Sequence, residues 1–185
     1  FMGCTGFYGE LKLPKHLKKL DKGAFNSCSG FSGNLVIPQT LTYVPTGAFK
    51  GCGLGGNLQV HDGIGSIGTS AFANNGFKGE LVLPKDLRTI PDECFYNNDF
   101  SGELKLPKNL ASIGSRAFAN NWRLMGVLEI PEDVVIISSG AFAECRSLES
   151  IVLPSALETV GSDQGYGGAF KNCYGVGSIV CKGTM

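Results

Sequence analysis

The chain has 185 residues, with 16 Lys plus Arg against 16 Asp plus Glu, so its formal charge is zero. That balance excludes a global electrostatic pull toward nucleic acid or anionic lipid, and no stretch approaches the ~18 consecutive apolar residues of a membrane span. With no Pro- or Ser-rich break and no low-complexity tract, residues 1–185 read as one continuous domain without a linker.

Taken in chain order, Phe1-Met2-Gly3-Cys4-Thr5-Gly6-Phe7 aligns with Phe25-Asn26-Ser27-Cys28-Ser29-Gly30-Phe31, so the chain begins inside a repeating unit. The first short strand is predicted at Leu11-Lys12-Leu13: its period-2 alternation turns two side chains inward and one outward. Pro14, which cannot donate to a ladder, ends it. The same unit returns at residues 35–38, 58–61, 81–84, 104–107, 128–131 and 151–154, with His61 in the one slot where Pro is missing. An eighth strand is predicted at Ile179-Val180-Cys181. The step between Pro slots is always 23 or 24 residues, and a fixed period in that range predicts a solenoid. The domain reads as about seven full repeats with partial repeats at both ends, a fragment of a longer repeat protein.

After each strand, aliphatic residues fall three and six positions beyond the Pro slot: Leu17 and Leu20, Leu41 and Val44, Leu110 and Ile113. A small residue and a ring follow at ten and eleven, as in Ala24-Phe25, Ala48-Phe49, Cys94-Phe95 and Ala117-Phe118. This spacing predicts a short helical or 3₁₀ return turn with one buried stripe, and places every Phe of the series in one shared hydrophobic column. At fourteen stands Cys or Asn (Cys28, Cys52, Asn75, Asn98, Asn121, Cys145). A short polar side chain turned inward at a bend satisfies backbone that no ladder reaches. About eight apolar side chains per repeat, at roughly 1.5–3 kcal/mol each when buried, do not offset the entropy of ordering one repeat alone. Stacked neighbours supply the rest.

Motifs that would carry chemistry dissolve into the repeat. Gly63-Ile64-Gly65-Ser66-Ile67-Gly68 matches a dinucleotide fingerprint literally, but its Ile residues hold the plus-three and plus-six slots and no long helix follows. His16 and His61 are two repeats apart, roughly 10 Å at ~4.8 Å per strand step, with no nucleophile or carboxylate fixed beside them. Glu80 and Glu103 stack on neighbouring strands as a solvated edge. The seven Cys are an odd number, and five of them share the slot that Asn fills elsewhere, so they read as structural thiols, a bridge between stacked slots such as Cys28 and Cys52 being the alternative. The residues specify no catalytic site, cofactor or metal.

Recognition is expected on the outward strand positions, which include Lys12, Gln59, Val82, Lys105 and Glu129, because exposed apolar residues among charges mark partner surfaces. Two further candidates lie outside the strands. Trp122 follows Asn121 in a repeat lengthened by one and offers an anchor for a protein or sugar. Tyr166 sits in the insertion Ser162-Asp163-Gln164-Gly165-Tyr166-Gly167-Gly168, which breaks the period, and per-repeat insertions map to loops on one face.

The combined pattern Leu-x-Leu-Pro, Leu-x-x-Ile-Gly, Ala-Phe-x-x-Cys resembles the BspA-type leucine-rich repeats, and Leu110-Ala111-Ser112-Ile113-Gly114-Ser115-Arg116-Ala117-Phe118 is close to a full unit. The resemblance covers essentially the whole chain. It implies an α/β, right-handed leucine-rich-repeat solenoid of short parallel strands and short helical return turns, exposed outside the cell or on its surface. It also implies adhesive roles, including host-matrix binding, and brings no catalytic residues. The expected function is a non-enzymatic binding and adhesion module acting through the concave strand face. A protein or glycan is the ligand, with no nucleic acid, no membrane span and a monomeric state. A structural spacer in a larger surface protein and a glycan-binding module are the alternatives.

Overall fold

A computed structural model of the chain describes residues 1–161 and 166–183; Ser162, Asp163, Gln164 and Gly165 of the insertion lie outside the described residues. The strands are β1 (Gly9–Glu10), β2 (Phe31–Val36), β3 (Tyr43–Val44), β4 (Gly55–Gln59), β5 (Ser66–Ile67), β6 (Lys78–Gly79), β7 (Thr89–Ile90), β8 (Asp99–Gly102), β9 (Ser112–Ile113), β10 (Arg123–Glu129), β11 (Ile136–Ile137), β12 (Ser147–Leu153), β13 (Thr159–Val160) and β14 (Ser178–Cys181). One strand from each coil joins an eight-stranded parallel sheet in the order β1-β2-β4-β6-β8-β10-β12-β14. Neighbours in that sheet are successive coils, as the fixed period requires.

The Leu-x-Leu segments lie in or beside this sheet. In β10 and β12 they are part of the strand, with Leu128 opposite Ile151 and Glu129 opposite Val152. In other coils the strand is drawn toward the preceding spacer, as in β8. The register shifts between Gly126 and Val127: Gly126 lies opposite Leu148 and Val127 opposite Ser150, which leaves Glu149 of β12 out of the ladder.

The aliphatic residue six positions past the Pro slot ends a second short strand in most coils. These strands form a four-stranded sheet, β7-β9-β11-β13, and a separate pair, β3-β5. The gap between them has a covalent cause. The residue after this strand donates its N–H to the preceding coil, as Gly68 does to Val44 O at 2.7 Å and Gly114 to Ile90 O at 2.7 Å. Pro91 stands in that slot between β5 and β7 and has no N–H to give.

The return segment corrects the expectation of helical turns: among the described residues there is no α- or 3₁₀-helix, and the solenoid is built of parallel strands and tight turns. The reason is backbone handedness. In six successive coils the residues nine and thirteen past the Pro slot have positive φ: Gly23 and Ser27, Gly47 and Gly51, Ser70 and Asn74, Glu93 and Asn97, Arg116 and Asn120, Gly140 and Glu144. A right-handed helix cannot pass through such residues. For a residue with a Cβ the left-handed conformation costs about 1–2 kcal/mol, so something must compensate. Alternate N–H groups bond the next coil: Glu93 donates to Ser115 O at 2.9 Å, Phe95 to Ala117 O at 2.8 Å and Asn97 to Ala119 O at 2.9 Å. The N–H groups between them close turns within the coil, Cys94 onto Pro91 O and Tyr96 onto Glu93 O. Every donor of the segment is thereby used.

The core is the predicted ring column. Phe1, Phe25, Phe49, Phe72, Phe95, Phe118, Phe142 and Phe170 stack along the axis with centroids 5.2–5.9 Å apart and planes within 16°. A second set packs beside it edge to face, Phe77 against Phe72 at 6.4 Å and Phe100 against Phe95 at 6.2 Å.

The Cys or Asn slot behaves as read. Asn98 Nδ2 donates to Phe72 O of the preceding coil and Phe95 O of its own, both at 3.0 Å, while its Oδ1 accepts from Phe77 N at 3.1 Å. Cys thiols repeat the first of these bonds: Cys52 Sγ donates to Phe25 O at 3.0 Å and Cys173 Sγ to Phe142 O at 3.1 Å. Burial pushes the Cys52 thiol up to about 12 and that of Cys173 to about 11, and raises Cys94 and Cys145 as well. All seven cysteines are free, so the slot holds hydrogen-bond donors, not bridges.

Candidate binding faces

Lys12, Gln59, Val82, Lys105 and Glu129 are all exposed on the side of the eight-stranded sheet, Gln59 and Glu129 within β4 and β10 and the other three just past the ends of β1, β6 and β8. They line three successive recesses. Lys12 shares one of about 580 Å³ with Lys15 and Val36. Gln59 and Val82 share one of about 410 Å³ with Asn57 and Glu80. Lys105 and Glu129 share one of about 620 Å³ with Val127, Lys108 and Lys182. Exposed valines run through the row, Val36, Val82 and Val127 each at least half exposed.

Part of the charge on this face is paired. Lys12 Nζ lies 3.0 Å from Glu10. Lys182 Nζ bridges Glu129 at 2.9 Å and Glu132 at 2.8 Å. Hydrogen bonds donated to Glu132 first and to Glu129 second raise the Lys182 ammonium, and the bond accepted from Lys182 lowers the Glu132 carboxyl.

Trp122 and Tyr166 belong elsewhere, on the face made by the return turns. Trp122 is 51% exposed and borders a recess of about 700 Å³ whose lining includes Asn97, Asn120, Asp99 and Arg146. Tyr166 borders a neighbouring recess with Tyr96, Arg116 and Asn120. Arg116 is held between two rings, its guanidinium 3.9 Å from the Tyr96 centroid and 4.6 Å from that of Tyr166, and it donates to Glu93 at 3.1 Å. Ser70 Oγ donates to the same carboxylate at 3.0 Å. Sequence reasoning missed this cluster. Its signal was there: Gly, Ser and Asn recur at the two slots where φ is positive, the residue types that tolerate that conformation.

The motifs set aside as decoration are absorbed into structure. His61 Nδ1 accepts from Gly63 N at 3.1 Å and its Nε2 bonds Pro38 O at 3.0 Å. Gly65 and Gly68 give their N–H groups to Thr42 O and Val44 O, leaving none to cradle a phosphate. Among the described residues no group of His, Cys, Asp and Glu is arranged to hold a metal, and no helix is long and apolar enough to cross a membrane.

The chain matches the model of the BspA type leucine rich repeat region, in six copies, over residues 1–125 and 65–185. A comparison with curated proteins gives no match. Among solved structures it is similar to the leucine rich repeat protein of T. pallidum at 24% identity and a TM-score of 0.62, over 80% of this chain and 70% of that one. That likeness shows the fold. A leucine-rich repeat protein of Bacteroides ovatus aligns at 21% identity and TM-score 0.49, over 99% of this chain and 57% of that one. A leucine rich cell surface protein of Faecalibacterium prausnitzii aligns at 24% and 0.47, over 82% and 32%. The chain thus matches about a third of the Faecalibacterium protein's length and somewhat more than half of the Bacteroides one.

Proposed function

Given that this chain belongs to the BspA type leucine-rich repeat family, we propose that it is a non-catalytic binding module, working outside the cell or on its surface, whose ligand is a protein laid across the outward face of the eight-stranded sheet. The observation that carries this reading is the row of exposed valines among charged side chains. Val36, Val82 and Val127 are 53%, 61% and 50% exposed on a sheet whose other face packs Leu35, Leu58, Leu81, Leu104 and Leu128 into the core. Apolar patches rimmed by polar groups mark protein contacts. The recesses bordered by Lys12, Val82 and Lys105 give side chains of a partner places to seat. The carboxylates and ammonium groups around them set register more than affinity.

The test is binding to a panel of purified extracellular-matrix proteins. Lys105→Glu and Val82→Asp are expected to weaken capture at least about tenfold, about 1.4 kcal/mol, with the unfolding midpoint unchanged because both side chains are exposed. Capture that survives both substitutions would move the ligand off this face.

A further inference from the structure

We propose that the recess on the turn face is a carbohydrate site, taking a neutral oligosaccharide that runs along the solenoid axis. It uses none of the strand-face candidates Lys12, Gln59, Val82, Lys105 and Glu129, although Asp99 and Arg123 open β8 and β10 beside it, and it does not depend on the protein-binding reading.

Asn74, Asn97 and Asn120 occupy the same slot in successive coils, all line or border the recess, and all have positive φ, 58°, 54° and 60°. Asn97 Nδ2 donates to Asn74 Oδ1 at 2.9 Å, and Asn120 Nδ2 donates to the Tyr96 hydroxyl at 3.3 Å. The row is therefore fixed before any ligand arrives. Each amide has two N–H groups and two lone pairs, so these single bonds leave donors and acceptors unspent. That mixed capacity suits sugar hydroxyls, which donate and accept at once.

The rim supplies the other half of sugar recognition. Arg123 sits over the Trp122 ring, its guanidinium carbon 5.0 Å from the ring, while the indole is still 51% exposed. One aromatic face is thus backed by a cation and the other is left for the C–H face of a pyranose. The charges nearby are already matched: Arg123 lies 3.6 Å from Asp99 and Arg146 2.7 Å from Glu144. Charge-neutral lining disfavours phosphate and nucleic-acid ligands, which need surplus cations. The amide-rich floor disfavours an apolar anchor, which would leave those groups unpaired. Amides one coil apart, about 4.8 Å, are spaced close to the length of one sugar ring, so a linear glycan can offer each Asn one unit.

The experiment is an array of neutral oligosaccharides, followed by titration calorimetry with the best sugar at each length from disaccharide to hexasaccharide. Affinity should climb with length until the three amides are covered, then level off. Trp122→Ala should weaken binding at least about tenfold. Asn120→Gly keeps the left-handed backbone without strain and should weaken it about threefold or more, so it reads the site even if Trp122→Ala fails to fold. The proposal is overturned by no neutral glycan bound, by binding confined to sulfated or sialylated glycans, by indifference to both substitutions, or by loss with Lys105→Glu instead. Loss of sugar binding with matrix-protein capture intact separates the two faces.

Discussion

At the scale of single residues, the slot shared by Cys and Asn shows how one hydrogen-bonding problem admits two answers. The carbonyl of each column Phe points to the next coil, where the backbone alternation leaves it without an N–H. A thiol meets it with one weak donor, whereas the Asn amide clamps two carbonyls and accepts a backbone N–H besides. Replacing Asn98 by Leu removes three hydrogen bonds, each worth about 1 kcal/mol net. It strands Phe77 N, while Phe72 O and Phe95 O keep the amides of Asn75 and Asn121, so urea denaturation should show a loss of about 3 kcal/mol at most. Asn98→Cys restores the bond to Phe72 O and should lose clearly less. Equal losses would mean that the amide acts by filling space. The exchange of Cys for Asn across repeats exposed this role before any coordinates. The orphaned Asn121 Oδ1 was not legible: Asn75 and Asn98 take this bond from a backbone N–H of the preceding coil, Cys52 N and Phe77 N, and whether Asn121 meets such a donor depends on how its coil seats on the one before.

At the scale of the element, the return segment is where sequence and structure part. Aliphatic residues three apart followed by Ala-Phe suit one helical turn, and they suit stacked turns equally, because both bury the same stripe. What separates the two is the residue between the apolar ones. Ser70 and Asn74, or Glu93 and Asn97, at positive φ close a helix out and turn their N–H groups to the next coil. Glycines in these elements do two different things. A Cβ on Gly114 would meet Asp92 N at 2.5 Å with φ in the ordinary region, whereas one on Gly102 meets nothing within 4 Å but would sit at φ +84°. Gly114→Ala must push two coils apart and should cost about 1–3 kcal/mol by overpacking. Gly102→Ala carries only the conformational term, about 1 kcal/mol. Thermal melts that rank them in the reverse order would show that coil contact at the Ile-Gly corner is looser than drawn.

At the scale of the whole molecule, strand contacts join each coil to its neighbours, while side-chain pairs such as Lys182–Glu129 and Lys50–Glu93 reach one coil further, so stability and recognition are both close to one-dimensional. The strand-face residues could be placed from sequence because a period of two assigns each side chain to one side. Lys105 and Glu129 accordingly share a recess. Trp122 and Tyr166 could not be placed, since they sit beside insertions whose path the repeat does not dictate, and they proved to lie on the turn face. The ring column carries the same one-dimensional logic into folding. Phe95 stacks on Phe72 at 5.7 Å and on Phe118 at 5.4 Å, and is fully buried. Phe95→Ala removes both contacts and should cost about 3–5 kcal/mol. That loss falls on the two interfaces that Phe95 makes, with the coil of Phe72 before it and that of Phe118 after it. In a nearest-neighbour stack a weakened central interface uncouples the two halves. The expected result is a single unfolding transition in the wild type that splits into two in Phe95→Ala, with amide exchange protection lost first on one side of the lesion. A variant that still melts in one step, shifted but undivided, would show coupling between coils that are not neighbours, and the stack would not be the unit of its stability.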